Sequence, residues 1–181
     1  MIEGEYTLLS YYRAKYFEKT PKEHIPPFIG CFLSDKDGRI LIKFESFRDA
    51  TQYFLKKSIE NQLTRDNFDE EIIPMFLCAL EGYTSNLNLE EIVEINLAGN
   101  KIGMYIHFFE NFNLTMIMSP AVEICEYKGV IIDYFSNLIE DYENELKKRS
   151  NNNFNDIIDI LTELEKDGSA WINQMNQEYQ Q

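Results

Sequence analysis

The chain has 181 residues, a formal net charge of −14, 44% hydrophobic and 14% aromatic residues. That length holds one domain, or one domain with an appendage, and the apolar content is enough for a core, which excludes wholesale disorder. The acidity excludes nucleic acid as a partner, because neutralising phosphates needs clustered Lys and Arg, and an anionic membrane surface would repel the chain. A soluble cytoplasmic protein is expected, or one whose partner carries a basic patch.

Residues 1–27 form a separate N-terminal segment. In EYTLLSYYRAKYF, Leu8, Leu9, Tyr12 and Tyr16 fall at helical spacing and predict a short helix. Thr20-Pro21 and Pro26-Pro27 punctuate the chain and part this piece from the rest. From Phe28 the pattern changes to that of strands. PFIGCFL is a nearly continuous apolar run, RILIKFE alternates, and Ser34-Asp35-Lys36-Asp37-Gly38 between them reads as the loop of an antiparallel hairpin. A helical stripe follows at Phe47, Ala50, Thr51, Phe54, Leu55, Ser58, Ile59 and Leu63, with Ser46 as its expected N-cap. After a polar break, Ile72, Ile73, Phe76, Leu77, Leu80 and Tyr83 define the apolar side of a second helix, with Pro74 in its first turns.

IVEINL, KIGMYIHFF and LTMIMS are then three strand-like runs joined through Ala98-Gly99-Asn100 and Glu110–Asn113, which predicts an antiparallel meander closed by Pro120. Ile131, Phe135, Leu138, Tyr142 and Leu146 mark a long helix ending in Lys147-Lys148-Arg149, basic residues suited to the negative end of the helix dipole. SNNN reads as a linker. Ile157, Ile158, Leu161 and Leu164 define a last short helix ending before Gly168, followed by a polar tail.

Little in the chain points to chemistry. SDKDGRI has the look of a calcium loop, with Asp35, Asp37 and Gly38 in suitable places. Leu33 and Phe44 then fall at its first and last ligand positions, and neither binds a hard cation. The aspartates read as turn formers. His24 and His107 are isolated, no CxxC pair exists, and neither GxxxxGK[ST] nor GxGxxG occurs. The carboxylate pairs Glu70-Glu71, Glu90-Glu91 and Glu140-Asp141 flank apolar stripes and read as solvated faces. Cys31, Cys78 and Cys125, odd in number and widely spaced, read as reduced thiols. No catalytic residue, metal or cofactor is expected, and the reading is of a protein that is not an enzyme. No N-terminal run resembles a signal peptide and no stretch is apolar enough to span a bilayer.

From Phe28 the order strand, strand, helix, three strands, long helix resembles the longin and roadblock group. FIGCFLSDKDGRILIKFE looks like the opening hairpin of such domains, and EIVEINLAGNKIGMYIHFFENFNLTMIMSP like their central meander. The resemblance covers roughly residues 28–149 and implies an α+β fold, a five-stranded antiparallel sheet with packed helices, carrying a C-terminal helical extension over 150–181. It implies a module that binds rather than catalyses: a homo- or heterodimerising platform or regulator of a small Ras-like GTPase in trafficking or polarity. Related proteins occur in GTPase-rich archaeal lineages, which suits this Asn-, Ile- and Lys-rich chain. The segment between the second and third strands is long enough for two helices, where the group usually has one. The tail after Arg149 is too short for a SNARE coiled coil with an anchor.

A reading from another class is a PAS- or GAF-like sensor, with Met104, Met116 and Met118 lining an apolar pocket; alternating Met in strands equally fits core packing. For a protein partner, the third strand is the expected sheet edge, offering Ile92, Val93, Ile95 and Leu97. The last helix offers Ile157, Leu161 and Leu164 unless that stripe packs in cis, and Trp171 is a candidate anchor with an intramolecular role as its alternative.

Overall fold

The computed structural model describes residues 25–59, 61–86, 92–151 and 157–180. The helix expected over Leu8–Tyr16 lies outside these residues. The first hairpin is as expected: β1 (Phe28–Asp35) pairs antiparallel with β2 (Ile40–Glu45). Gly38 turns the chain at φ 85°, where a side chain would be strained. The Asp35 carboxylate accepts the N–H groups of Asp37 and Arg39 and the Ser150 hydroxyl, so its oxygens hold the turn together.

After β2 come α1 (Ala50–Ser58), the short α2 (Gln62–Asp66) and α3 (Ile72–Asn86). Ser46 is not the cap of α1. Its hydroxyl donates to the carbonyl of Ile29, and the helix starts later, behind Asp49 at φ 61°. The Glu45 carboxylate accepts the N–H groups of Asp49 and Thr51 instead, so the last strand residue supplies the acceptor that a helix start requires. The stripe drawn from Phe47 to Leu63 also breaks, because Ile59 is extended and Leu63 is 75% exposed.

β3 (Glu94–Ala98), β4 (Gly103–Phe108) and β5 (Phe112–Met118) form the meander. β5 closes against β1 to give a five-stranded sheet in the order β2-β1-β5-β4-β3, every neighbouring pair antiparallel. α4 (Ile124–Ser150) follows, kinked at Tyr142, and then α5 (Ile158–Tyr179). α1 and α3 cover one face of the sheet, over Ile29, Phe32, Ile106 and Ile117. α4 and α5 cover the other, over Phe28, Cys31, Leu33, Phe44, Leu114 and Met116. No helix among the described residues is long and apolar enough to cross a membrane.

The largest departure from the sequence reading is α5. It runs through Gly168, where it was expected to stop, and the supposed polar tail buries Ile172, Met175 and Asn176. The reason lies in packing. A Cβ at Gly168 would stand 2.3 Å from the Phe44 ring, so glycine lets the helix approach the sheet rather than ending it.

Candidate interaction surface

α5 seals one edge of the sheet. β2 is an edge strand, and an edge strand leaves backbone N–H groups without sheet partners. Ser169 Oγ accepts the Glu45 N–H at 3.1 Å, and the Glu165 carboxylate takes the Lys43 N–H one helical turn earlier. At the far end of α5, Asn176 is buried and grips both backbone groups of Phe28, accepting its N–H at 2.7 Å and donating to its carbonyl at 2.8 Å. Trp171 stacks on Tyr134 at 4.0 Å, nearly parallel, and meets Phe135 edge-on.

These contacts settle the alternatives left open for the last helix. Ile157, Leu161 and Leu164 are buried in the main core, and Trp171 packs within the chain. They help hold α5 to its own sheet, together with the buried residues Gly168, Ile172 and Met175 further along the helix.

β3 is the other edge, and no strand among the described residues pairs with its outer side. Its register against β4 pairs Ile95 with Ile106 and Leu97 with Met104, so Val93, Ile95 and Leu97 point to the face that carries α3. Ile92 and Ile95 are half-buried beneath α3, whereas Val93 and Leu97 are exposed.

On the helix-covered side, α3 carries a surface the sequence assigned to the core. Of the stripe expected on the inner side of α3, only Leu77 is fully buried, with Ile73 and Leu80 half-buried. Ile72, Phe76 and Tyr83 point outward at 59%, 60% and 63% exposure, joined by Met75. The helix has one charged residue, Glu81, and it is turned aside to Lys36 at 2.6 Å and to Asn113 at 3.0 Å. The outer face of α3 therefore has no charge on it, in a chain with a net charge of −14. The signal was present in the sequence as a 15-residue helix with too many apolar residues for one face.

Elsewhere the polar groups serve structure. Glu94 on β3 is paired with Lys128 on α4 and accepts the Tyr105 hydroxyl at 3.3 Å, with His107 alongside. The Lys128 hydrogen bond holds the Glu94 carboxyl below the usual carboxylate range, and burial holds the His107 imidazole below its ordinary value. This cluster ties α4 to β3. Burial pushes the Cys31 thiol well up, and the Cys78 thiol also lies above its ordinary value, so neither favours the reactive thiolate. No group of three or more His, Cys, Asp or Glu among the described residues is placed to hold a metal ion.

For the sensor reading, Met116 and Met118 are buried packing residues and Met104 is half-buried between α1 and α3. The depressions of about 410, 220 and 280 Å³ open to solvent at the β3–β4 turn, beside Ile25 and Phe54, and at the first hairpin. None is an enclosed apolar chamber between sheet and helix, and the sensor reading is not favoured.

No protein-family model matches the chain, and no curated protein matches it in sequence. Among solved structures, it is similar to Myxococcus xanthus MglB, with a TM-score of 0.45 and 16% identity over 65% of this chain and 85% of that one. A Roadblock/LC7 domain from Streptomyces avermitilis gives 0.41 and 8% identity, over 68% of this chain and 88% of that one. The gliding protein MglB from Thermus thermophilus gives 0.38 and 12% identity, over 71% and 83%. Likeness at these levels transfers neither residues nor partners. The chain's own strand order and helix placement establish a five-stranded antiparallel sheet with packed helices, the longin/roadblock-like arrangement that its hairpin and meander implied.

Proposed function

We propose that this chain is a non-enzymatic interaction module, a dimerising platform or regulator of a small Ras-like GTPase in trafficking or polarity. The observations that carry the reading are the uncharged outer face of α3 and the open β3 edge, where Val93 and Leu97 are exposed. An exposed apolar helix face and an unpaired strand edge are each features of protein-binding surfaces. The opposite edge is covered by α5, which leaves the β3 edge, among the described residues, as the place where a partner strand would add. The GTPase as occupant comes from the resemblance of the hairpin and meander.

The test is titration of the purified chain against the small Ras-like GTPases of its own cell, each loaded with GDP and with a non-hydrolysable GTP analogue. A complex is expected in at least one nucleotide state, and Phe76→Asp should weaken it at least tenfold while leaving thermal stability within about 0.5 kcal/mol, as for other exposed sites. No complex in either state, with the folded chain at high micromolar concentration, rejects the GTPase.

A further inference from the structure

We propose that α3 is a hinged flap, anchored at its N-terminal end and latched through Glu81, whose opening uncovers a polar seam on the sheet beneath it. The seam runs along β5, the middle strand of the five. Asn113 and Thr115 stand opposite Phe108 and Ile106 of β4 in register, and so point to the face that α1 and α3 cover. Both are fully buried, as is Ser34 opposite Asn113 on β1. The Ser34 hydroxyl donates to the Asn113 carbonyl at 3.3 Å, but the Thr115 hydroxyl has no hydrogen-bond partner among the described residues. A buried hydroxyl without a partner disfavours the closed state, and an opening that admits water removes that penalty.

The seat of α3 is slight for its length. Of its described side chains only Pro74 and Leu77 are fully buried, whereas α5 buries Leu161, Leu164, Ile172, Met175 and Asn176. Ile72, Met75, Phe76 and Tyr83 face outward and contribute nothing to docking. A 15-residue helix held by so little buried surface opens at lower free energy than the fold as a whole.

The polar attachments divide the helix into a fixed end and a releasable one. Just before its first turn, the Glu70 carboxylate accepts Lys43 Nζ at 2.6 Å and lies 2.8 Å from the Thr51 hydroxyl, which ties this end to β2 and α1. Met75 rests on the first hairpin, where a Cβ at Gly38 would stand 2.9 Å from its Cα. Toward the other end, one Glu81 carboxylate oxygen accepts Lys36 Nζ at 2.6 Å and the other accepts the Asn113 side-chain amide at 3.0 Å. Lys36 Nζ donates to Asn113 Oδ1 as well, at 2.8 Å. Lys36 and Glu81 are partly exposed, so water can replace these bonds one by one as the helix lifts. Breaking the latch frees the side chain of Asn113 and hydrates the seam along to Thr115.

Hydrogen–deuterium exchange of the full-length chain, resolved by mass spectrometry, reads the flap without any partner. Amides of α3 beyond its first turn should exchange at least about tenfold faster than those in the middle of α4 and α5. Thr115→Val keeps the shape and removes the orphan hydroxyl, so it favours the closed flap and should slow α3 exchange by about fivefold or more. Thr115→Ser keeps a hydroxyl there and should not slow it. Glu81→Ala removes the latch and should speed it severalfold. Exchange of α3 in step with α4 and α5 in the wild type overturns the proposal. So does α3 exchange that Thr115→Val leaves unchanged, because the helix then frays without uncovering the seam, or that Glu81→Ala leaves unchanged, because Glu81 then holds nothing closed.

Discussion

Adding one methyl group at two helical glycines should move stability in opposite directions. Replacing glycine by alanine inside a helix ordinarily stabilises by about 0.5–1 kcal/mol. At Gly129 in α4 an added Cβ meets nothing within 4 Å, so Gly129→Ala should gain about that much. At Gly168 in α5 the Cβ would lie 2.3–2.4 Å from three atoms of the Phe44 ring. Carbon atoms in contact need about 3.5 Å, so ring or helix must yield by roughly 1.2 Å. The ring cannot swing, because it is buried, stacked on Phe135 at 5.7 Å and edge-on to Tyr134 at 6.3 Å. The helix must lift, straining the Asn176 and Ser169 hydrogen bonds. Overpacking of this kind costs about 1–3 kcal/mol, and the strained hydrogen bonds add to it, so the two variants should differ by roughly 2–4 kcal/mol. Urea unfolding followed by far-UV circular dichroism measures the difference. Trp171 fluorescence reports the docking of α5 itself, since that side chain stacks on Tyr134. A Gly168→Ala protein as stable as Gly129→Ala would refute the close seating of α5 on Phe44.

Asn176→Ala strands the N–H and carbonyl of Phe28, a residue with no exposure, and should cost about 2–4 kcal/mol by equilibrium unfolding; a loss under about 0.5 kcal/mol would remove Asn176 as the clamp. Burial raises the Glu165 carboxyl above the ordinary carboxylate range, against the lowering effect of the Lys43 amide. Such a group binds its proton more tightly folded than unfolded. Its stabilising contribution is therefore full below the unfolded value and is lost as pH rises through the raised folded one. Glu165→Gln keeps an acceptor for the Lys43 amide without that loss, so the variant's stability relative to wild type should improve between pH 4 and pH 7. A relative urea midpoint that stays constant or falls over that interval contradicts the assignment.

Local patterns written within a few residues were legible before any coordinates. Asp35 and Gly38 between two apolar runs encode a hairpin, because a turn needs a side-chain acceptor and a residue tolerant of positive φ. The meander and its two connections followed from alternation alone, and the edge position of β3 from the longin-like order. The closure of β5 on β1, by contrast, joins residues some 80 positions apart and came from the resemblance rather than from any local signal.

Which side of each helix faces inward could be decided only by the tertiary structure. Periodicity shows that α3 is apolar, but Ile72 and Phe76 look the same as Leu77 until the sheet beneath fixes which stripe is covered. The sequence reading offered the β3 edge and the last helix as candidate partner surfaces; the packing buries Ile157, Leu161 and Leu164 and leaves Ile72, Phe76 and Tyr83 of α3 exposed. Gly168 read as a helix stop because glycine is a poor helix former. It proved to be a contact point because the Phe44 ring, 124 positions earlier, occupies the space a side chain would need. Sequence by itself determined the elements and their turns, whose causes are local. Burial is a property of what the completed sheet places opposite each residue, and that decided which faces were covered and which stayed exposed.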